Sequence, residues 1–311
     1  MAGHAQVRRE RVSLTVTESR MNADRKTKNR RNAEKLQRAE RVTGFVKRLA
    51  QKPNARIRYF ETNHGRVRTY WYGTDRPDSP VYFDLHGGGF VLGHPVMDEA
   101  MNRRIGEEAG CTVVSIEYAK APRYPYPCAL DQIHETIKTI LADGAAYGID
   151  ASKAAVGGHS AGGNLATALC LKAKGTEPKF VCQILDYPVL DLFTSPYDKP
   201  QPKGCIPPGV AVMFNDCYIQ DDRAKEIFAS PVFASKSDLE GSPPALFVLA
   251  GQDSLYDEAK TYARMLTEAG VLTEVHEYPN ALHGFTLSDS EDAKDAVDRM
   301  IAFLKKHLGA A

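Results

Sequence analysis

At 311 residues, with 43% hydrophobic and 25% charged residues, the chain has the make-up of a globular protein with one sizeable core and a small accessory element. No apolar run approaches the roughly 20 residues that a membrane-spanning helix needs, and the polar N-terminus lacks the apolar stretch of a secretory signal. The sequence therefore predicts a cytoplasmic protein with no membrane span.

The net charge of +1 conceals an asymmetry. Residues 1–52 hold 15 Lys/Arg against 5 Asp/Glu, and the rest of the chain holds 25 against 34. A basic arm of this kind suits nucleic acid or an anionic membrane. No aromatic–basic interleaving or DNA-binding motif accompanies it, so no nucleic-acid partner is expected. Leu36, Ala39, Val42, Phe45 or Val46, and Leu49 recur at helical spacing, which predicts a helical lid with one buried face. Its basic face would then lie against solvent and the acidic body.

Beyond this arm, "ARIRYFE" and "RVRTYWYG" alternate with a period near two around the turn "TNHG" and predict an antiparallel hairpin. Short β-rich runs follow at 81–88, 111–118, 154–160, 180–188, 245–252 and 273–279. Most are continuous rather than alternating, as strands buried on both faces are. Helical patterns lie between them at about 97–109, 128–143, 161–174, 255–269 and 289–308. Strand–helix alternation predicts an α/β fold with a mostly parallel central sheet covered by helices on both faces and opened by the antiparallel hairpin. Residues 189–230, rich in Pro and Tyr with one weak helix near 207–219, interrupt that rhythm and read as an insertion forming the second part of a lid. The predicted organisation is a cap segment over 1–52 and a catalytic domain over 53–311 that carries this insertion.

The six cysteines are scattered with no CxxC pair, and Cys111, Cys170 and Cys182 fall in apolar segments. Buried free thiols are expected, and no metal site is implied.

Gly158-His159-Ser160-Ala161-Gly162 lies between an apolar strand and a helix-forming stretch. A serine at a sharp strand-to-helix turn is exposed for attack on a carbonyl, and the helix N-terminus offers positive dipole character to a developing oxyanion. The bland alternative is a Gly-rich turn whose serine only caps the helix. Some 70 residues earlier, His86-Gly87-Gly88-Gly89-Phe90 follows a buried strand. Three consecutive glycines weaken any regular element, and acyl-transfer chemistry supplies a reason for them. The N–H groups of Gly87 and Gly88, with that of Ala161, form a candidate oxyanion hole.

A serine nucleophile needs a base and an orienter, which follow it along the chain as acid and then histidine in this architecture. His283, in "NALHGF" after the last strand, is the candidate base. His159 adjoins the serine, but on a tight elbow the two side chains diverge, so it is expected to make a packing or lid contact. Asp253, at the end of the strand "ALFVLAGQ", is the candidate acid. Asp257 and Glu258 are its rivals, in the first turn of the next helix where acids are common for dipole reasons.

Together these motifs resemble the bacterial hormone-sensitive-lipase family of esterases, over about residues 55–311. The matching stretches are His86–Phe90, Tyr118-Ala119-Lys120-Ala121-Pro122, Gly158–Ala166, Asp253–Glu258 and His283–Phe285. The resemblance implies an α/β-hydrolase fold and a triad of Ser160, Asp253 and His283. It also implies an oxyanion hole of Gly87, Gly88 and Ala161, a cap from the N-terminal helices and a second insertion, and a homodimer. The implied activity is hydrolysis of short-chain acyl esters, from acetyl to about hexanoyl, through an acyl-enzyme, with a small-molecule ester as partner and no metal or organic cofactor. Acetyl-ester deacetylation of sugars or xenobiotics, and a non-catalytic small-molecule-binding relative of the fold, are the alternatives. The aromatic residues Tyr187, Phe193, Tyr197, Phe214 and Tyr218 suggest a compact acyl pocket. Two stretches depart from the family pattern: His159 stands where the family has Asp, and Ala-Lys-Ala-Pro-Arg replaces Arg-Leu-Ala-Pro-Glu after Tyr118.

Overall fold

The architecture was analysed in a computed structural model that describes residues 21–41, 54–73 and 76–309. Strands β1 (Arg56–Thr62) and β2 (Gly65–Gly73) form the expected hairpin, closed by Asn63 and His64, with Thr62 opposite Gly65. The other strands are β3 (Ser79–Leu85), β4 (Thr112–Glu117), β5 (Ile149–His159), β6 (Cys182–Asp186), β7 (Ala245–Gln252) and β8 (Thr273–Leu282). They join one eight-stranded sheet in the order β1-β2-β4-β3-β5-β6-β7-β8. β2 is antiparallel to both its neighbours, and every pairing from β4 to β8 is parallel.

The continuous apolar runs of the central strands follow from cover on both faces. Successive residues of β3 and β7 alternate between two cores: Val81, Phe83, Phe247 and Leu249 enter one, and Tyr82, Leu246 and Val248 the other. Helices α3 (Cys128–Ala142), α4 (Ala161–Lys172) and α7 (Tyr256–Glu268) build the first core with Ile133, Ile137, Leu165, Leu169 and Leu266. Helices α2 (Glu99–Ala109) and α8 (Glu291–Leu308) build the second with Ile105, Val297, Met300 and Leu304. α8 shows why such a segment is helical. Its apolar residues recur at Ala293, Ala296, Val297, Met300, Ile301 and Leu304, Ser290 accepts the Ala293 N–H as N-cap, and Gly309 ends it in the left-handed region.

Residues 21–41 form helix α1, which lies across the end of the sheet. Arg25 donates two hydrogen bonds to Asp216, and Asn29 adds a third. Gln37 donates to the carbonyls of Val91 and Ala121, and Glu40 accepts the Gly93 N–H. The face turned to the body is thus marked by Ala33, fully buried, and Gln37. This corrects the predicted face over the described part of the helix: Leu36 is 44% exposed and Ala39 is also exposed, because polar side chains dock it on the Asp216 carboxylate and on backbone N–H and carbonyl groups. Val42, Phe45, Val46 and Leu49 lie outside the described residues.

The connection between β6 and β7 carries α5 (Pro208–Tyr218), as expected, and the short helix α6 (Lys236–Leu239). Two buried side chains pin it. Asn164 of α4 donates to the carbonyls of Val189 and Ala229. Glu258 of α7 accepts the N–H groups of Leu190 and Asp191 and is paired with Lys199. Burial pushes the Glu258 carboxyl up to about 7 against the pull of Lys199.

A carboxyl raised in the fold loses the protein stability as pH climbs from its unfolded value to its folded one. Lys199→Met raises it further and leaves Glu258 buried without a counter-charge. The variant is expected to lose about 3 kcal/mol at pH 8 and clearly less at pH 5, measured by urea unfolding. A second prediction concerns packing. A Cβ on Gly162 would fall 1.8 Å from the Leu85 carbonyl oxygen, so Gly162→Ala yields no folded protein, whereas a Cβ on Gly175 meets nothing within 4 Å. Gly175→Ala therefore costs only the left-handed backbone strain, about 1 kcal/mol, read from the same unfolding curves.

Candidate active site

The site is built where β5 turns into α4. Ser160 sits between His159, the last residue of β5, and Ala161, the first of α4, at φ 54° and ψ −113°. A β-carbon-bearing residue holds that conformation only under restraint from its surroundings. The Ser160 N–H donates to the Asp186 carbonyl (2.9 Å), and the Ser160 carbonyl accepts from Asn164 and Val189. The flanking glycines are required by close approach: a Cβ on Gly158 would lie 2.4 Å from the Leu85 carbonyl oxygen.

His283 follows β8, and Gly284 after it takes a left-handed conformation that turns the chain. His283 Nδ1 lies 2.6 Å from Asp253 Oδ2, and its Nε2 lies 2.9 Å from Ser160 Oγ. A carboxylate only accepts, so the Nδ1–H donates to Asp253 and Nε2 is left to accept the hydroxyl proton. Asp253 is buried at 2% exposure, and its other oxygen accepts the Leu255 N–H. The three predicted residues are therefore brought into one hydrogen-bonded row. The rivals stand elsewhere: Asp257 is exposed, and Glu258 serves the loop after β6.

The glycine loop runs beside this row. A Cβ on Gly87 would lie 3.6 Å from Ser160 Cβ, so the Gly87 backbone abuts the serine. Gly88, at φ 117°, accepts the N–H groups of Val91 and Leu92. The Ala161 N–H opens α4, where the first N–H groups have no partner within the helix. His86 braces the loop. It is buried, bonds through Nδ1 to the Gly87 carbonyl (2.7 Å) and stacks on Tyr118, whose hydroxyl donates to the His86 carbonyl. Burial, aided by Lys120, lowers the His86 pKa to about 3, so this ring is neutral.

Aromatic residues line up differently from the expected pocket. Phe214 lies over the glycine loop, its ring 2.2 Å from where a Gly89 Cβ would stand, and Tyr218 stacks on Phe90 at 3.8 Å between centroids. Tyr187 is buried with its ring against His283 (4.8 Å). Phe193 and Tyr197, at 53% and 65% exposure, face outward instead. Asp191 accepts the N–H groups of Phe193 and Thr194, and this local turn carries Phe193 away from the serine toward Phe233 and Lys225. A separate cleft of about 1850 Å³ opens beside Tyr118 and carries Arg68, His94, Glu117, Lys120 and Arg123. It does not include the Ser160 row.

Beneath the serine lies a cluster that the sequence reading did not find. His159 is buried at 3% exposure, with Nδ1 2.6 Å from Asp186 Oδ2 and Nε2 3.3 Å from Asp84 Oδ1. It is a packed residue, as expected, and what it packs against is a pair of buried carboxylates. Burial would lower the His159 pKa, yet its contacts with Asp186 and Asp84 outweigh that and hold it well above the ordinary value. Asp98 is buried beside them, and burial pushes its carboxyl up to about 7 against the pull of His159. The overlooked signal was an acid inside each of two apolar strands, "VYFDL" and "CQILD".

Residues 82–287 match a family described by its α/β hydrolase fold. The carboxylesterase NlhH of Mycobacterium tuberculosis is 32% identical over 255 residues, which cover 78% of this chain and 79% of that protein. The ethyl acetate hydrolase of Pseudomonas putida is 30% identical over 241 residues, 72% of each. Among solved structures, a thermostable esterase from Pseudomonas putida superposes with a TM-score of 0.77 at 32% identity, covering 82% of this chain and 83% of that one. A hyperthermophilic esterase from the archaeon Pyrobaculum calidifontis gives 0.78 at 28% identity, covering 90% and 92%. With its sheet order, its elbow and these relatives, the chain belongs to the α/β hydrolases, in their hormone-sensitive-lipase-like branch.

Proposed function

We propose that the protein is a serine carboxylesterase that cleaves short-chain acyl esters through an acyl-enzyme, with Ser160 as nucleophile, His283 as general base and Asp253 as its orienter. The observation that carries this reading is the continuous row Asp253–His283–Ser160, with contacts of 2.6 and 2.9 Å. The curated relatives named as carboxylesterase and ethyl acetate hydrolase support the substrate class.

In the first step His283 Nε2 takes the Ser160 proton as Oγ bonds to the ester carbonyl carbon, and the carbonyl oxygen becomes an oxyanion. The N–H groups of Gly87, Gly88 and Ala161 are the donors proposed for it, and the nearness of Gly87 to Ser160 supports their role. The C–O bond to the alcohol breaks as His283 returns the proton to the leaving oxygen. Water, deprotonated by His283, then attacks the acyl-enzyme, and collapse releases the acid and restores the serine. Asp253 accepts the Nδ1–H throughout and stabilises the transient imidazolium.

Of the expected cap segment 1–52 the structure describes residues 21–41, and in this proposal that helix and about 189–230 form a cap over the catalytic domain. The bonds from α1 to Asp216 of α5 and to the segment after the glycine loop support it. Among the described residues no helix is long and apolar enough to cross a membrane. The six cysteines are free thiols, which suits a reducing compartment, and we assign the enzyme to the cytoplasm.

Ser160→Ala is expected to lower kcat on p-nitrophenyl acetate by about 10⁴-fold or more. A variant that keeps most of that activity would overturn the assignment. Phe214 packs over the glycine loop, which in this proposal favours small acyl groups, so a p-nitrophenyl ester series is expected to peak between acetyl and hexanoyl. A maximum on long-chain emulsions would reject the short-chain specificity while leaving the nucleophile in place.

A further inference from the structure

We propose that His159 is a positioning residue of the ester-cleaving site: clamped between the carboxylates of Asp84 and Asp186, it locks the Ser160 elbow to the loop that presents His283. The proposal rests on the reading of Ser160 and His283 as nucleophile and base.

Three acids from three elements surround this one ring. Asp84 comes from the end of β3, Asp98 from the residue before α2, and Asp186 from the end of β6; all are at most 2% exposed. Ligating atoms of Asp84, Asp98 and His159 lie within 4.8 Å of one another. Buried carboxylates at this spacing repel and need a compensating positive charge. An imidazolium supplies it with two N–H groups on opposite sides, which suits a ring with a carboxylate on each nitrogen. Ser115 and Asn102 donate to Asp84 Oδ2, while Oδ1 accepts no hydrogen bond and faces His159 Nε2 at ion-pair distance, 3.3 Å.

The cluster reaches the chemistry by two routes that meet in Asp186. The Asp186 carbonyl accepts the Ser160 N–H at 2.9 Å, so the backbone of Asp186 helps hold the serine in its left-handed conformation. The Asp186 carboxylate accepts from His159 and also from the Thr286 hydroxyl, at 2.6 Å in each case. Thr286 stands three residues after His283, and its oxygen accepts in turn from the Tyr187 hydroxyl at 2.8 Å. The Tyr187 ring lies edge-on to His283, with centroids 4.8 Å apart. A shift of Asp186 is therefore felt at both ends of the Ser160–His283 hydrogen bond. Misplacement of reacting groups by about 1 Å can cost 10²-fold in rate. An ion pair that only held the core together would have no such path to the imidazole.

The test uses the full-length chain and p-nitrophenyl acetate, with each variant's fold checked by circular dichroism and thermal melting. Thr286→Val cuts the link without touching His159. It is expected to lower kcat about tenfold with KM within about twofold, and Thr286→Ser to restore most of the loss. His159→Asn keeps a donor near the Nδ1 position facing Asp186, whereas His159→Gln sends its donor toward Asp84. The Asn variant is therefore expected to retain more kcat than the Gln variant. In NMR spectra of the wild type, both His159 ring nitrogens are expected to carry protons at pH 8.

The proposal is overturned if folded Thr286→Val and both His159 variants keep wild-type kcat, or if the ring is neutral at pH 8. It is overturned too if a stoichiometric divalent ion is found whose chelation abolishes activity, because the acids would then be held by a metal. Failure of the catalytic reading itself shows differently: Ser160→Ala would stay active and a fluorophosphonate probe would not label Ser160.

Discussion

The site depends on one close approach, that of the Ser160 elbow to the end of β3. Gly158 and Gly162 bring their α-carbons so near the Leu85 carbonyl that neither tolerates a side chain. With that contact in place, the chain leaves β5 through a serine at φ 54°. The conformation is costly, by about 1–3 kcal/mol for a residue of this kind, and is offset by the hydrogen bond to Asp186 and by a helix that is buried on every side. The same approach brings the Gly87 backbone to the flank of the serine, since β3 continues straight into the glycine loop. The elbow and the placing of the glycine loop are thus two consequences of a single packing contact.

Much of this was legible in the residues. Strands buried on both faces betray themselves as unbroken apolar runs, so the parallel part of the sheet could be read to within a few residues. The hairpin was announced by alternation around "TNHG", and α8 by its apolar spacing and its Ser and Gly ends. The three residues of the row were found because chemistry restricts both their type and their chain order. The acid was less clear, because Asp253, Asp257 and Glu258 are all near the end of β7. Only the direction of the chain at the start of α7 separates the buried Asp253 from the exposed Asp257.

What escaped the sequence was decided by partners far away in the chain. Leu36 was expected to face inward on helical spacing, but α1 docks through Gln37, Glu40 and Arg25 on groups more than 50 residues distant. Phe193 and Tyr197 looked like pocket residues until the turn made by Asp191 sent Phe193 outward. Asp84 and Asp186 were passed over as parts of apolar strands. An ionised group in such a run has to be compensated from a neighbouring strand, and His159 at the end of β5 stands between the two.

Asn164 gives the insertion a particular standing. One side-chain nitrogen, fixed on the helix that follows the serine, holds the carbonyls of Val189 and Ala229 together. The 39 residues between them leave and return at one place on the scaffold. Such a segment can lengthen, shorten or exchange its aromatic side chains while the elbow below feels no change in its ends. Under the proposed function, the segment set above the serine is free to vary, and the row that would break the bond is shielded from that variation. This separation lets one scaffold acquire new ester preferences without inventing new chemistry.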